Sequence, residues 1–279
     1  SLLHLMIGSE GTLGVITRCI LRLTAKPEET RSAVVPFADL KAAIAAVPAI
    51  LCPGADPTAV EFVERSVAAL GERFTGISFP CPQAQAYILL TFDGTRDKIE
   101  TDIRRVRAVL TQQGALDFVL LDTPERTAGI WKVRGCLVKA VEAVSEQEPV
   151  DIVVPISRTA DFIRFINDLE ARSGMQMVSF GHAGDGNVHL CVVRGDRDEE
   201  RWQKELHENM DRAYRKAYEL GGVTSGEHGI GISKRRYFLR ETHRENLRTM
   251  NRIKDALDPL HILNDKKSYI LGGQDETTV

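Results

Sequence analysis

The chain has 279 residues, of which 43% are hydrophobic and 27% charged, with a formal net charge of −3. That length supports one large or two small domains around a sizeable core, and the composition is that of an ordinary globular protein. The absence of a basic field excludes nucleic acid or an anionic membrane as an electrostatic partner, and no apolar run is long enough to span a bilayer.

"SLLHLMIGSEGTLG" at the start lacks the basic opening and cleavage pattern of a signal peptide. Beginning at Ser1 with an apolar run straight into a glycine turn, the chain reads as a piece of a longer protein, cut inside a folded unit. Leu13 to Thr24 is rich in aliphatic and β-branched residues and predicts a strand, and "AKPEET" then marks a boundary near Lys26. "RSAVVPF", "AVEFVE", "AYILLTFDG", "LDFVLLD" and "VDIVVP" read as strands. "ADLKAAIAAVPAIL", "RSVAALGERF" and "TRDKIETDIRRVRAVLTQQG" read as helices between them. "TPERTAGIWKVRGCLVKAVEAV" predicts one helix flawed at Gly135, and "RTADFIRFINDLEARSG" another. "MQMVSFGH" and "NVHLCVVRG" are two strands around a tight turn. A long helix then ends at Gly221-Gly222, and a last one runs from about Lys234 to Leu257.

The early order β-α-β-β-α-β is ferredoxin-like, and the strand–turn–strand at 175–193 must be antiparallel. The expected fold is therefore α+β: a large, mostly antiparallel sheet with helices covering one face. The five cysteines, Cys19, Cys52, Cys81, Cys136 and Cys191, stand singly with no C-x-x-C pair. This points to a reducing compartment, with cytoplasm the expected location and membrane association only through a complex.

Chemistry concentrates in two glycine-rich motifs. "GHAGDGNVHL" (181–190) places His182 and His189 on either side of a turn. In a hairpin they become near cross-strand partners on one face, with Cβ atoms roughly 4.5–5.5 Å apart, close enough to converge on one ion. Asp185 and Asn187 could orient the imidazoles; the alternative is a polar turn whose histidines are satisfied by backbone. "SGEHGIG" (225–231) sets Glu227 and His228 between glycines. Two histidines and one carboxylate make a three-ligand set with open positions, as in catalytic zinc-type sites, and leave His228 as a base.

These two motifs, with "GSEGTLGVIT" at the start, resemble the FAD-linked oxidase family that includes D-lactate dehydrogenases, the D subunit of glycolate oxidase and D-2-hydroxyglutarate dehydrogenase. The resemblance covers nearly the whole chain. It implies that residues 1–25 are the tail of a flavin-binding domain and 26–279 the substrate- and metal-binding C-terminal domain. It further implies His182, His189 and Glu227 as ligands of a divalent metal such as Zn or Mn, His228 as general base, and Arg134 of "WKVRG" as the group that binds substrate carboxylate. Gly8, Ser9, Gly11, Thr12 and Gly14 would lie against FAD together with Asn264, most of the flavin being held by an N-terminal domain upstream. Read alone, Arg134 is equally a solvated helix charge and "GSEGTLG" a plain turn; the latter lacks the G-x-x-x-x-G-K-[ST] phosphate loop.

Two departures from the family matter. Its N-P-G-K near the C-terminus reads "NDKK" (264–267) here, and Cys191 stands where hydroxyglutarate-type enzymes carry Asn, which favours a short acid. The implied reaction oxidises a small D-2-hydroxy acid of lactate or glycolate type to the 2-oxo acid, with hydride passing to FAD. The electron acceptor is undefined and the assembly is compatible with a homodimer. Competing readings are a metal-dependent hydrolase and a non-catalytic subunit of a larger dehydrogenase complex.

Overall fold

The computed structural model describes residues 1–51, 54–265 and 267; Cys52 and Lys266 lie outside the described residues. The chain forms two compact units, Lys26–Gly222 and Ser1–Ala25 together with the segment from Val223 onward. In chain order the elements are α1 (Leu2–Met6), β1 (Glu29–Phe37), α2 (Leu40–Ile50), β2 (Ala59–Glu64), α3 (Arg65–Thr75), β3 (Ala86–Gly94), α4 (Arg96–Gln112), β4 (Val119–Leu121), α5 (Pro124–Gly135), α6 (Leu137–Glu142), β5 (Gln147–Val153), α7 (Thr159–Ser173), β6 (Met177–His182), β7 (Asn187–Val193), α8 (Glu199–Glu219), α9 (Arg235–Glu241) and α10 (Arg244–Leu257).

Local chemistry accounts for many boundaries. Asp39, Thr95, Thr123 and Asp198 each accept a backbone N–H three residues on, capping α2, α4, α5 and α8. Pro124 opens α5, where its missing N–H costs nothing. Gly76 and Gly174 close α3 and α7 in the left-handed conformation.

The larger unit is built on a seven-stranded sheet in the order β4-β1-β3-β2-β6-β7-β5. Every strand pair is antiparallel. The first four strands stand in the ferredoxin-like spatial order β4-β1-β3-β2, but α3 separates β2 from β3, so the chain order is β-α-β-α-β-α-β and not the expected β-α-β-β-α-β. The α+β class and antiparallel sheet agree with the sequence reading, but the helices divide between both faces rather than covering one. Val34, Val63, Tyr87, Leu89, Val178, Phe180 and Cys191 pack with residues of α3, α5 and α6 in one core. The alternate strand residues, among them Ala33, Val35, Phe62, Ile88, Leu90 and Leu190, are equally buried, on the side where α2, α4, α7 and α8 pack against one another and the strands. Near-continuous apolar strands signal this two-sided burial.

Three other expectations change. The predicted helix over 124–144 breaks at Cys136 into α5 and α6, beside the glycine identified as its flaw. The predicted last helix splits into α9 and α10 where Thr242 turns extended. Leu13–Thr24 forms no strand. Among the described residues its unit contains only α1, α9 and α10, so nothing there offers a ladder for its N–H and C=O groups.

Candidate metal and substrate site

The site in the larger unit follows from strand register. Across the sheet, Glu61 of β2 pairs with His182 of β6, and His189 of β7 pairs with Asp151 of β5. His182 itself pairs with Asn187 and His189 with Phe180, so the two histidines are two places out of direct register. They were expected as near partners; the shift of two preserves the shared face. The adjacent strands β2, β6, β7 and β5 thus carry a row of acid, imidazole, imidazole, acid.

The row is hydrogen-bonded at its Glu61 end. His182 Nδ1 lies 2.6 Å from Glu61 Oε1. The other Glu61 oxygen accepts from Arg134 Nε at 3.0 Å and Nη2 at 2.7 Å. His189 Nδ1 is 3.8 Å from Asp151 Oδ1. The imidazole centroids are 5.1 Å apart and nearly perpendicular. Arg134, near the end of α5, lies over the ring of Phe180, its guanidinium carbon 5.1 Å from the centroid. Glu61, Asp151 and His189 are buried, whereas the His182 side chain is 31% exposed. Within this row the buried Glu61 carboxylate meets the Arg134 guanidinium.

The hairpin turn explains how the histidines reach their places. A 3-10 turn, Ala183–Asp185, is followed by Gly186 at φ +71°. Asp185 is exposed in this turn and Asn187 is buried beside His182, its Oδ1 accepting no hydrogen bond among the described residues. Cys191, two residues beyond His189 on the same face, is buried, and burial pushes its thiol up to about 12.

In the smaller unit the first glycine turn and the loop after Gly226 are joined by Glu10. Its two carboxylate oxygens accept from the backbone N–H of Ile230 at 2.6 Å and of Gly231 at 2.8 Å. Glu227 and His228 precede these amides, with 3.7 Å between Glu227 Oε1 and His228 Nε2; both side chains are more than half exposed. Asn264, in a left-handed conformation that asparagine tolerates, donates to the Glu10 carbonyl at 2.7 Å. Gly8, Ser9, Gly11, Gly14 and Asn264 line a cleft of about 560 Å³. Thr12 is fully buried instead, its hydroxyl donating to Ser9 O. Beneath it the buried Lys254 amine donates to the carbonyls of Thr12 and Leu263 and to the Asp258 carboxylate.

The family of FAD-linked oxidase C-terminal domains matches residues 26–268. The chain belongs to this family. Among relatives of the FAD-linked oxidases, a D-lactate dehydrogenase of Anaerostipes hadrus is 38% identical, over 96% of this chain and 58% of its own length. The glycolate oxidase subunit GlcD of Bacillus subtilis is 30% identical, over 96% of this chain and 57% of its own. The chain thus spans a little over half the length of these curated relatives. Among solved structures, a 4-ethylphenol oxidase from Gulosibacter chungangensis superposes with a TM-score of 0.66 at 18% identity, covering 91% of this chain and 56% of that one. Alkyldihydroxyacetonephosphate synthase does so at 0.60 and 13%, covering 94% and 48%. These likenesses show the fold. None of the described helices is long and apolar enough to cross a membrane.

Motif reading of this FAD-linked oxidase chain missed Glu61, Asp151, Glu10 and Lys254. A signal for the first two was available: "AVEFVE" and "VDIVVP" each hold one acid at an interior position of an apolar strand. Burial of such a carboxylate requires a partner.

Proposed function

We propose that this chain is the C-terminal portion of a flavin- and divalent-metal-dependent dehydrogenase that oxidises a small D-2-hydroxy acid, of lactate or glycolate type, to the 2-oxo acid. The names of its relatives support the reaction class. The observation that carries the metal is the row Glu61–His182–His189–Asp151: two imidazoles on one face, His182 bonded through Nδ1 to Glu61 and His189 with Nδ1 3.8 Å from Asp151. This pattern is typical of metal-ligating histidines, whose other nitrogen takes the ion. His182 and His189 are assigned as two ligands; Glu227 as the third and His228 as the base rest on the resemblance of "SGEHGIG".

When bound, the metal supplies positive charge to the substrate's α-hydroxyl and FAD supplies the hydride acceptor. The chain's own groups bind and orient. Arg134 has Nε and one Nη2 proton engaged by Glu61, so Nη1 and the second Nη2 proton are the donors for a substrate carboxylate. His228, exposed in its own unit, is the group that takes the hydroxyl proton.

Residues 1–25 are proposed as the tail of the flavin-binding part and 26–279 as the C-terminal domain. Val15, Ile16, Ile20, Leu21 and Leu23 are all exposed, which supports a further part of the protein covering them. The cleft lined by Gly8, Ser9, Gly11, Gly14 and Asn264 supports a flavin contact there, without the buried Thr12. The test uses the full-length gene product. Purified protein should contain stoichiometric FAD and divalent metal and reduce a dye with D-lactate or glycolate. His228→Ala should lower kcat by roughly 10²–10⁴-fold with metal content unchanged. A flavin-replete, metal-supplemented protein that oxidises no 2-hydroxy acid would overturn the reading.

A further inference from the structure

We propose that Glu61 is the positioning residue of this site, its one carboxylate fixing both the nitrogen His182 presents to a cation and the orientation of Arg134 toward substrate. The inference rests on the function proposed above.

Glu61 sits in β2 directly opposite His182, is buried, and divides its oxygens between two functional groups. Oε1 is 2.6 Å from His182 Nδ1, and Oε2 takes both Nε and Nη2 of Arg134. An ionised carboxylate only accepts hydrogen bonds. With Oε1 as the acceptor of this 2.6 Å contact the imidazole proton resides on Nδ1, and Nε2 is the nitrogen offered to a cation. A glutamine at this position could offer its amide N–H to Nδ1, which would move the imidazole proton to Nε2 and remove its lone pair. On the other oxygen, two donors converging on Oε2 hold the guanidinium edge, and Phe180 beneath it limits tilting. Partial exposure of His182 against near-complete burial of Glu61 fits an imidazole that meets a ligand on one edge and is braced on the other.

The experiment takes full-length protein, wild type and Glu61→Gln. Three quantities are read: the Kd for Zn by chelator competition, KM and kcat for D-lactate, and the His182 tautomer by ring ¹⁵N NMR in metal-free protein. The wild type should show the Nδ1–H tautomer. The variant should bind metal roughly 10–100-fold more weakly and raise KM. In a His182→Ala background the same change should weaken metal binding no further, since the two act through one contact. An Nε2–H tautomer in the wild type, or a folded Glu61→Gln protein with unaltered metal Kd and KM, overturns the proposal. A wild type that binds no metal overturns the function proposed above, while the tautomer in that sample still decides Glu61. That measurement needs no variant to fold.

Discussion

The carboxylate of Glu10 holds the backbone amide of Ile230, 220 residues away in sequence, at 2.6 Å, and its second oxygen takes the next amide at 2.8 Å. The loop carrying Glu227 and His228 is thereby tied to the first glycine turn. Glu10→Gln keeps the shape but has one oxygen to offer instead of two. It should cost about 1–2 kcal/mol, within the range for a lost charge-assisted hydrogen bond. Native-state hydrogen exchange should accelerate at Ile230 and Gly231 specifically. Unchanged protection at both amides would refute the tie.

Lys254 and Asp258 form a buried pair one helical turn apart. The amine also serves the Thr12 and Leu263 carbonyls, and the Asp258 carboxylate accepts from the amides of Ile262 and Leu263. Lys254→Met leaves two carbonyls without their donor and the buried carboxylate without its counter-ion. The double change Lys254→Met with Asp258→Asn removes that charge while keeping an oxygen for the amides. Urea unfolding should therefore find the single variant less stable than the double one.

The same pair sets an acid limit. The Lys254 amine holds the Asp258 carboxyl down at about 2, below its usual value of 3.8. A carboxyl lowered on folding stabilises the native state above its unfolded value, and that stabilisation is lost as pH falls through the folded one. Stability should drop between pH of about 4 and about 2, and Asp258→Asn should flatten that limb in acid-titrated thermal melts.

Gly186→Ala should be far more costly than Gly174→Ala. Both glycines have positive φ, and at Gly174 a new Cβ meets nothing. At Gly186 it runs into the Val154 carbonyl oxygen, a backbone atom that cannot swing away. The helix-end change should cost about 1 kcal/mol and the hairpin change more, compared by urea midpoints at equal slope.

Thiol reactivity should follow burial. Cys19 is exposed, and Cys191 is buried with its thiol raised to about 12. In the 279-residue chain alone, iodoacetamide at pH 8 should alkylate Cys19 rapidly under native conditions and Cys191 only after unfolding, as mass spectrometry of peptides would report. Rapid native labelling of Cys191 would contradict the packing of β7.

Much of this arrangement was legible before any coordinates. Period-two patterning and the AGDGN turn predicted the hairpin that carries His182 and His189. Three features escaped for physical reasons. Two-sided helix cover was signalled by the uniform run "SAVVPF", which has no polar face to leave in water, but a strand–helix count alone does not register it. Leu13–Thr24 has strand composition without a pairing edge in its unit, and composition cannot supply one. Glu61 and Asp151 act through register across strands more than 30 residues apart, a relation that a local motif search does not sample.

The acid–imidazole–imidazole–acid row has one further consequence. Its four members come from four separate strands, and the ladders beneath them are made of main-chain groups indifferent to side-chain identity. Each position can change its chemistry alone while the scaffold stays put. A single-residue insertion upstream within any of those strands would instead rotate that member to the opposite side of the sheet. Descendants of this fold are therefore free to exchange donor types along the row yet constrained to conserve spacing.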